Sequence, residues 1–398
     1  MLGAGFKATA SRVQEMHQAI AGHTFDTLQG IPGLSMPTLV ARGVHDAITQ
    51  GVYAAVRHTG AAAAALAGGA ERLAIDPARV PGLKEQALRS ALNGAFGDTL
   101  ARSGSALAVQ MSLHDEHGAF DMAGAAPPRL RSRVCVLMHG LGCDEQSWRQ
   151  RSDDWSTSAW AGRLPAGQAP CYATLLEHEA GVSVLSLRYN SGQAIDQNAH
   201  AFAALMERLA IAAPQVREWL LVGHSMGGLV ARRAHAIAAD AGLGWVRNAP
   251  LIVCLGSPHQ GAPLAKIGHL VSAALATTNV TQPLARIADA RSRSVKDLRH
   301  GLASAESPSA ASTPATPVAP ALRLVFATLA DAGTADGGVG KLLARWFGDG
   351  LVRPGSAADE GAGGDVQRVE LAGLGHMSLL NHPRVYAVIR GWLGAPVG

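Results

Sequence analysis

The sequence predicts an α/β protein: a mostly parallel sheet with helices on both faces, preceded by a helical N-terminal region and carrying a cap insertion. Three observations carry this. From about residue 106 onward, short apolar runs alternate with stretches of helical composition. Several of the runs are apolar throughout, as strands buried on both faces are. Glycine-bearing turns follow the runs, giving the rhythm of strand–turn–helix units.

In chain order, residues 1–104 read as helical. Val40, Val44, Ile48, Val52 and Val56 recur every four residues, as do Leu88, Leu92, Phe96 and Leu100. That spacing puts one apolar stripe on each helix. The stripes are read as packing faces, because few basic residues flank them for an anionic membrane. Residues 105–398 then form one domain. Its expected strands are 107–113, 134–138, 182–187, 219–222, 251–255, 324–329 and 366–371, and its clearest helices are Asp196 to Ala213 and Met226 to Ala241. Lys266 to Leu302 has helical composition, and 303–321 is an Ala/Ser/Thr/Pro-rich stretch without core-forming side chains. An insertion between two strands there (266–321) would cap the carboxyl ends of the sheet, where such folds place ligands.

Composition narrows the function classes. With 398 residues, 48% hydrophobic and 16% charged, the chain can bury a sizeable core and is not a disordered polyelectrolyte. Its net charge is only +4, and no Lys/Arg run tracks phosphates, so nucleic acid is not an expected partner. The four cysteines show no metal-ligand spacing. Cys135 and Cys254 sit in apolar runs as buried thiols, while Cys143 and Cys171 are left as a pair that an oxidising compartment could join. The first twenty residues lack the apolar core of a signal peptide, and no stretch reaches the ~20 apolar residues of a membrane span. A cytoplasmic protein is therefore expected, with peripheral membrane contact still compatible.

The chemistry centres on LLVGHSMGGLVARRA, where Gly223, Ser225 and Gly227 form G-x-S-x-G. A chain with 46 glycines matches that pattern easily by chance, so its setting decides. A buried strand precedes it and a helix follows. A sharp strand-to-helix turn needs glycines at its flanks and leaves the Ser225 hydroxyl at a helix N-terminus, where developing negative charge is favoured. A serine needs a base. His376 stands in a glycine-flanked loop before the last helix, and Asp349 in a loop downstream of the 324–329 run. His376 would take the proton and Asp349 would hold the imidazole tautomer. His382, before Pro383, reads instead as a helix-start residue; Asp331, Asp336 and Asp365 lack the strand-loop setting of Asp349. The oxyanion of a tetrahedral intermediate needs two donors. His139-Gly140-Leu141-Gly142 ends a strand, and the backbone N–H groups of Leu141 and Met226 are assigned to this role, with Gly140 and Gly142 shaping the loop. His139 and His224 are expected to fix loop and elbow, and Trp148 either lines an acyl pocket or packs.

As a set, HGLG, RYNSG (188–192), GHSMGG, GSPHQGAPLA (256–265), GDGLV and GHMSLLNHPRVY resemble the α/β-hydrolase superfamily, its serine esterase and lipase branch. They are most similar to bacterial lipase-like proteins grouped with the alpha/beta domain of GPI inositol-deacylases. The resemblance covers about 105–398. It implies a cofactor-free ester hydrolase with Ser225, His376 and Asp349 as its triad, and a small-molecule ester or lipid as substrate; the sequence shows no metal-ligand cluster, so no metal is expected. His259 would be structural. The first hundred residues and the 303–321 stretch have no counterpart in it. An acyltransferase using the same triad, and a non-catalytic binding protein of the same fold, are the alternatives.

Overall fold

The structure of the protein, a computed structural model, describes residues 26, 42, 82–122, 129–150, 152–262, 297, 298, 301, 319–329, 349 and 352–393. The Val40–Val56 stripe, Asp331, Asp336 and nearly all of the expected 266–321 cap lie outside the described residues. The chain divides into two compact units, Met1–Gly82 and Leu83–Gly398. In the first, Arg42 Nη1 donates to Asp26 Oδ1 at 2.6 Å. The second begins with the helix α1 (Leu83–Arg102), which the sequence groups with the N-terminal region ending at 104 but which lies in the unit that carries the sheet.

That sheet has eight strands: β1 (Ser112–Asp115), β2 (Gly118–Ala119), β3 (Arg133–Met138), β4 (Ser183–Arg188), β5 (Glu218–His224), β6 (Leu251–Leu255), β7 (Ala321–Thr328) and β8 (Val366–Ala372). Their order is β2-β1-β4-β3-β5-β6-β7-β8, parallel from β4 to β8 and antiparallel where β1 meets β2 and β4. The expected strand at 107–113 is displaced toward its C-terminal end. Its first residues bond to α1 instead: Leu107 O accepts from Asn93 Nδ2 at 2.8 Å, and Val109 N donates to Asn93 Oδ1 at 2.9 Å. A backbone already bonded in this way cannot join a ladder.

Successive side chains on a strand point to opposite faces, and here both faces are covered. Val134, Val136 and Met138 join one hydrophobic cluster with Phe202, Leu205 and Leu209 of α3 (Ile195–Ala212) and Leu229 and Val230 of α4 (Met226–Asp240). Cys135 and Leu137 join the other, with Leu175 and Leu176 of α2 (Tyr172–Glu179) and Tyr386 and Ile389 of α6 (Pro383–Trp392), which follows the short α5 (Pro354–Ala358). This is why the runs read apolar throughout. Few residues are aromatic, but Trp155, Trp160, Tyr172 and Tyr386 gather in the second cluster, mostly edge-on, with ring centroids 5.0–6.4 Å apart. All four cysteines are free and buried, Cys143 and Cys171 among them. Burial pushes the thiols of Cys135, Cys143 and Cys254 up to about 12. Among the described residues, no helix is long and apolar enough to cross a membrane.

The register positions the site. Met138 of β3 and Cys254 of β6 both pair with Gly223 of β5, and Leu255 pairs with both His224 and Val325. The loops after β3, β5 and β6 therefore leave the sheet side by side.

Candidate active site

The turn from β5 into α4 carries Ser225 with φ 53 and ψ −122. A side chain in this region of backbone space costs of order 1–3 kcal/mol, held only when the surroundings over-determine it. They do. Ser225 N donates to Leu255 O at 2.8 Å. A Cβ on Gly223 would overlap Gly228 N, and one on Gly227 would overlap Met138 O, so the turn is pressed onto β3 with no room for side chains. Ser225 is 1% exposed. Its Oγ caps nothing and has no hydrogen-bond partner among the described residues.

His376 opens a 3-10 turn (His376–Leu380) just after β8. Its Nδ1–H donates to Asp349 Oδ2 at 2.7 Å, with both side chains 1% exposed. Its backbone N donates to Asp349 O at 3.0 Å, and Asp349 Oδ1 accepts from Val352 N at 2.7 Å. The carboxylate thus fixes the tautomer, leaving Nε2 as the basic nitrogen, and that atom has no partner among the described residues. His224, beside Ser225, donates from Nε2 to His376 O at 3.1 Å, and the two rings lie 4.7 Å apart. Burial, and then the neighbouring His376 imidazole, hold His224 well below the usual imidazole range, so it is neutral. Ser225, His376 and Asp349 are thereby brought to one place. Ser225 Oγ and His376 Nε2 are not hydrogen-bonded to each other, an open arrangement that unliganded sites often show.

The loop after β3 lies against Ser225. A Cβ on Gly140 would stand 3.1 Å from Ser225 Cβ. Tyr189 stacks on His139, centroids 4.4 Å apart, and its hydroxyl donates to His139 O at 2.7 Å, while His139 Nδ1–H donates to Gly140 O. Gly142 has φ +71. The bonds that hold this loop use the amides of Gly142 and Cys143 rather than that of Leu141. His139 and His224 therefore both serve as loop-fixing groups. Trp148 packs edge-on against His224, centroids 6.4 Å apart, and is buried.

The remaining candidates fall elsewhere. His382 caps α6, its Nδ1 accepting from Arg384 N at 3.1 Å. His259 accepts at Nδ1 from Arg232, which also pairs with Asp359; burial, then this guanidinium, keep it neutral. Asp365 pairs with Arg323. Two residues of the quoted motifs, Gly256 of GSPHQGAPLA and Ser191 of RYNSG, make contacts at the site that the sequence does not assign. Gly256 (φ +61) touches the His376–Asp349 pair, since a Cβ there would lie 3.1 Å from His376 Nδ1 and 3.2 Å from Asp349 Oδ2. The sequence puts Gly256 directly after the apolar 251–255 run, at the strand end, but does not mark this contact. Ser191 accepts at Oγ from Gly142 N at 2.9 Å, a contact between distant loops. No group of three His, Cys, Asp or Glu side chains able to hold a metal occurs among the described residues.

Residues 135–388 match the profile of a family described as the alpha/beta hydrolase family. No curated protein matches the chain. Among solved structures, the chain is similar to the mature Bacillus licheniformis lipase BlEst2, at 18% identity over 71% of this chain and 98% of that one, with TM-score 0.44. A lipase-esterase related protein from Clostridium acetobutylicum ATCC 824 shows 11% identity over 71% and 98%, with TM-score 0.38. RedJ, a thioesterase from the prodiginine pathway of Streptomyces coelicolor, shows 15% identity over 66% and 90%, with TM-score 0.36.

Proposed function

The chain belongs to the alpha/beta hydrolase family, and from that premise we propose that it is a serine hydrolase of carboxylic esters acting through Ser225, His376 and Asp349. The observation that carries this is the buried 2.7 Å His376–Asp349 pair, tied through His224 to a serine held at positive φ. His376 Nε2 removes the proton from Ser225 Oγ as the oxygen attacks the ester carbonyl. The imidazolium is stabilised by Asp349, and the oxyanion accepts from the N–H groups of Leu141 and Met226. Collapse expels the alcohol, which takes the proton from Nε2. Water, activated by the same nitrogen, then attacks the acyl-serine and frees the acid.

Lipid-like acyl esters are the preferred substrate class. This rests on the Leu, Ile and Val content of Lys266 to Leu302 and on the likeness of the motifs to the GPI inositol-deacylase-like branch. An acyltransferase would use the same residues with an alcohol in place of water, and product analysis with a competing alcohol separates the two. The decisive test is Ser225→Ala assayed on short p-nitrophenyl esters, with fluorophosphonate labelling of the wild type. Turnover is expected to fall by at least about 10³-fold, with label on Ser225. Wild-type turnover in the variant would overturn the proposal.

A further inference from the structure

The described side chains of the apolar stripe on α1 are not its buried face. Leu92, Phe96 and Leu100 are only half-buried, whereas Gln86, Ser90, Asn93, Gly94 and Gly97 are buried. Buried polar groups need partners; Asn93 finds its own on the 107–109 segment, whereas other groups of α1 reach the loops around the site. Gln86 Nε2 donates to Glu145, and Ser90 Oγ lies 3.2 Å from Asp144 Oδ2. Asn190 Nδ2 donates to Gly97 O at 2.9 Å. The helix also comes against these loops without intervening side chains. A Cβ on Gly94 would stand 2.7 Å from Gly142 Cα and 2.8 Å from Gly142 N, and one on Gly97 would overlap Asn190. Gly142 is thus held from two sides, by the backbone of α1 and by the Ser191 hydroxyl that its N–H reaches at 2.9 Å.

We infer that Gly94 of α1 and Ser191 are positioning residues for catalysis: together they set the Gly142 end of the loop and so aim the neighbouring Leu141 N–H at the oxyanion. The inference rests on the ester-hydrolase reading above. It gives a segment upstream of the recognisable motifs a part in the reaction. A donor displaced by a fraction of an ångström loses much of its effect, because it acts only at the geometry of the tetrahedral intermediate.

The test compares Gly94→Ala and Ser191→Ala with Ala95→Gly, which weakens the same helix at a residue of the hydrophobic cluster. Steady-state hydrolysis of p-nitrophenyl butyrate, affinity for an alkyl trifluoromethyl ketone (which forms an oxyanion on the serine) and melting temperature are measured for each. Gly94→Ala and Ser191→Ala should lower kcat about 10- to 100-fold with KM within about threefold, and weaken ketone binding by a similar factor. Ala95→Gly should lower the melting temperature while kcat and ketone affinity stay within about twofold. Wild-type kcat in folded Gly94→Ala and Ser191→Ala would overturn the inference. So would an equal loss of kcat in Ala95→Gly at matched stability. Should Gly94→Ala not fold, Ser191→Ala decides alone. If Ser225→Ala abolishes hydrolysis while both positioning variants are silent, only this inference falls. If Ser225→Ala remains active, the ester reading falls and takes this inference with it.

Discussion

Asp349→Asn changes almost nothing in shape and reverses the meaning of one hydrogen bond. Asp349 accepts at Oδ2 from His376 Nδ1–H and at Oδ1 from Val352 N–H. An amide offers one acceptor oxygen and one donor nitrogen. If its oxygen stays with Val352 N–H, its NH2 faces His376 Nδ1, which must then be the unprotonated nitrogen. The proton moves to Nε2, and the imidazole can no longer take one from Ser225. If the amide flips, its NH2 opposes Val352 N–H, and a buried donor loses its acceptor at a cost of about 1–3 kcal/mol. The first outcome is expected, with kcat reduced about 10⁴-fold, equivalent to about 5 kcal/mol in activation free energy. Kinetics on a p-nitrophenyl ester, with thermal unfolding of the same variant, measure both quantities. The residual rate should climb with pH as hydroxide substitutes for the missing base. A rate within about tenfold of wild type in folded Asp349→Asn protein would refute the assignment of Asp349 as the orienting acid.

Gly256→Val should lower activity more than about tenfold, because a branched side chain is forced into positive φ and against His376 Nδ1 and Asp349 Oδ2; a wild-type rate in folded protein would show that the acid–base pair tolerates displacement. Ser225→Gly should unfold at higher denaturant than Ser225→Ala, by about 1 kcal/mol, since only glycine relieves the strain at φ 53; equal midpoints would mean the turn is unstrained. Acid stability should also respond to Glu145. Burial opposes its ionisation, but the Arg188 guanidinium outweighs burial and holds the carboxyl at about 2. The folded-state pKa is depressed, so the stabilisation is present above the unfolded value of about 4.3 and is lost as pH falls toward 2, at most about 3 kcal/mol. Urea midpoints of wild type and Glu145→Gln, compared from neutral pH down into the acid range, should converge as the pH drops; parallel curves would contradict the pairing.

Much of the fold is legible in the sequence because its strands are covered on both faces. Runs such as 134–138 and 251–255 are apolar throughout, and they coincide almost to the residue with β3 and β6. The edge is not legible. β2 is two residues long, and the start of the 107–113 run is held by Asn93 and Arg89 of α1, which no periodicity records. The same limit explains α1. Leu88, Leu92, Phe96 and Leu100 mark a helix correctly, but its buried face is chosen by glycines and amides that match distant loops. At the site, the residues that sequence reasoning reaches are those whose local setting is distinctive: a serine between glycines after a strand, a histidine in a glycine-flanked loop. Gly256 and Ser191 fall within quoted motifs, but their roles depend on contacts between distant loops, which a linear reading does not show.

The aromatic group beneath the sheet has a spectroscopic consequence. Rings fixed at steep angles in a dry, asymmetric setting give strong near-ultraviolet circular dichroism, and here Trp148, Trp155, Trp160, Tyr172 and Tyr386 gather in one layer. Trp148 connects that layer to the serine turn, since its indole packs against Tyr172 on one side and the His224 ring on the other. An event that shifts His224, as acylation of the adjacent serine would, is therefore felt by a buried fluorophore already in the chain. Subtracting the emission of a Trp148→Phe variant isolates that signal from the other six tryptophans, so the proposed acylation of Ser225 can be tested optically with no label and no chromogenic substrate.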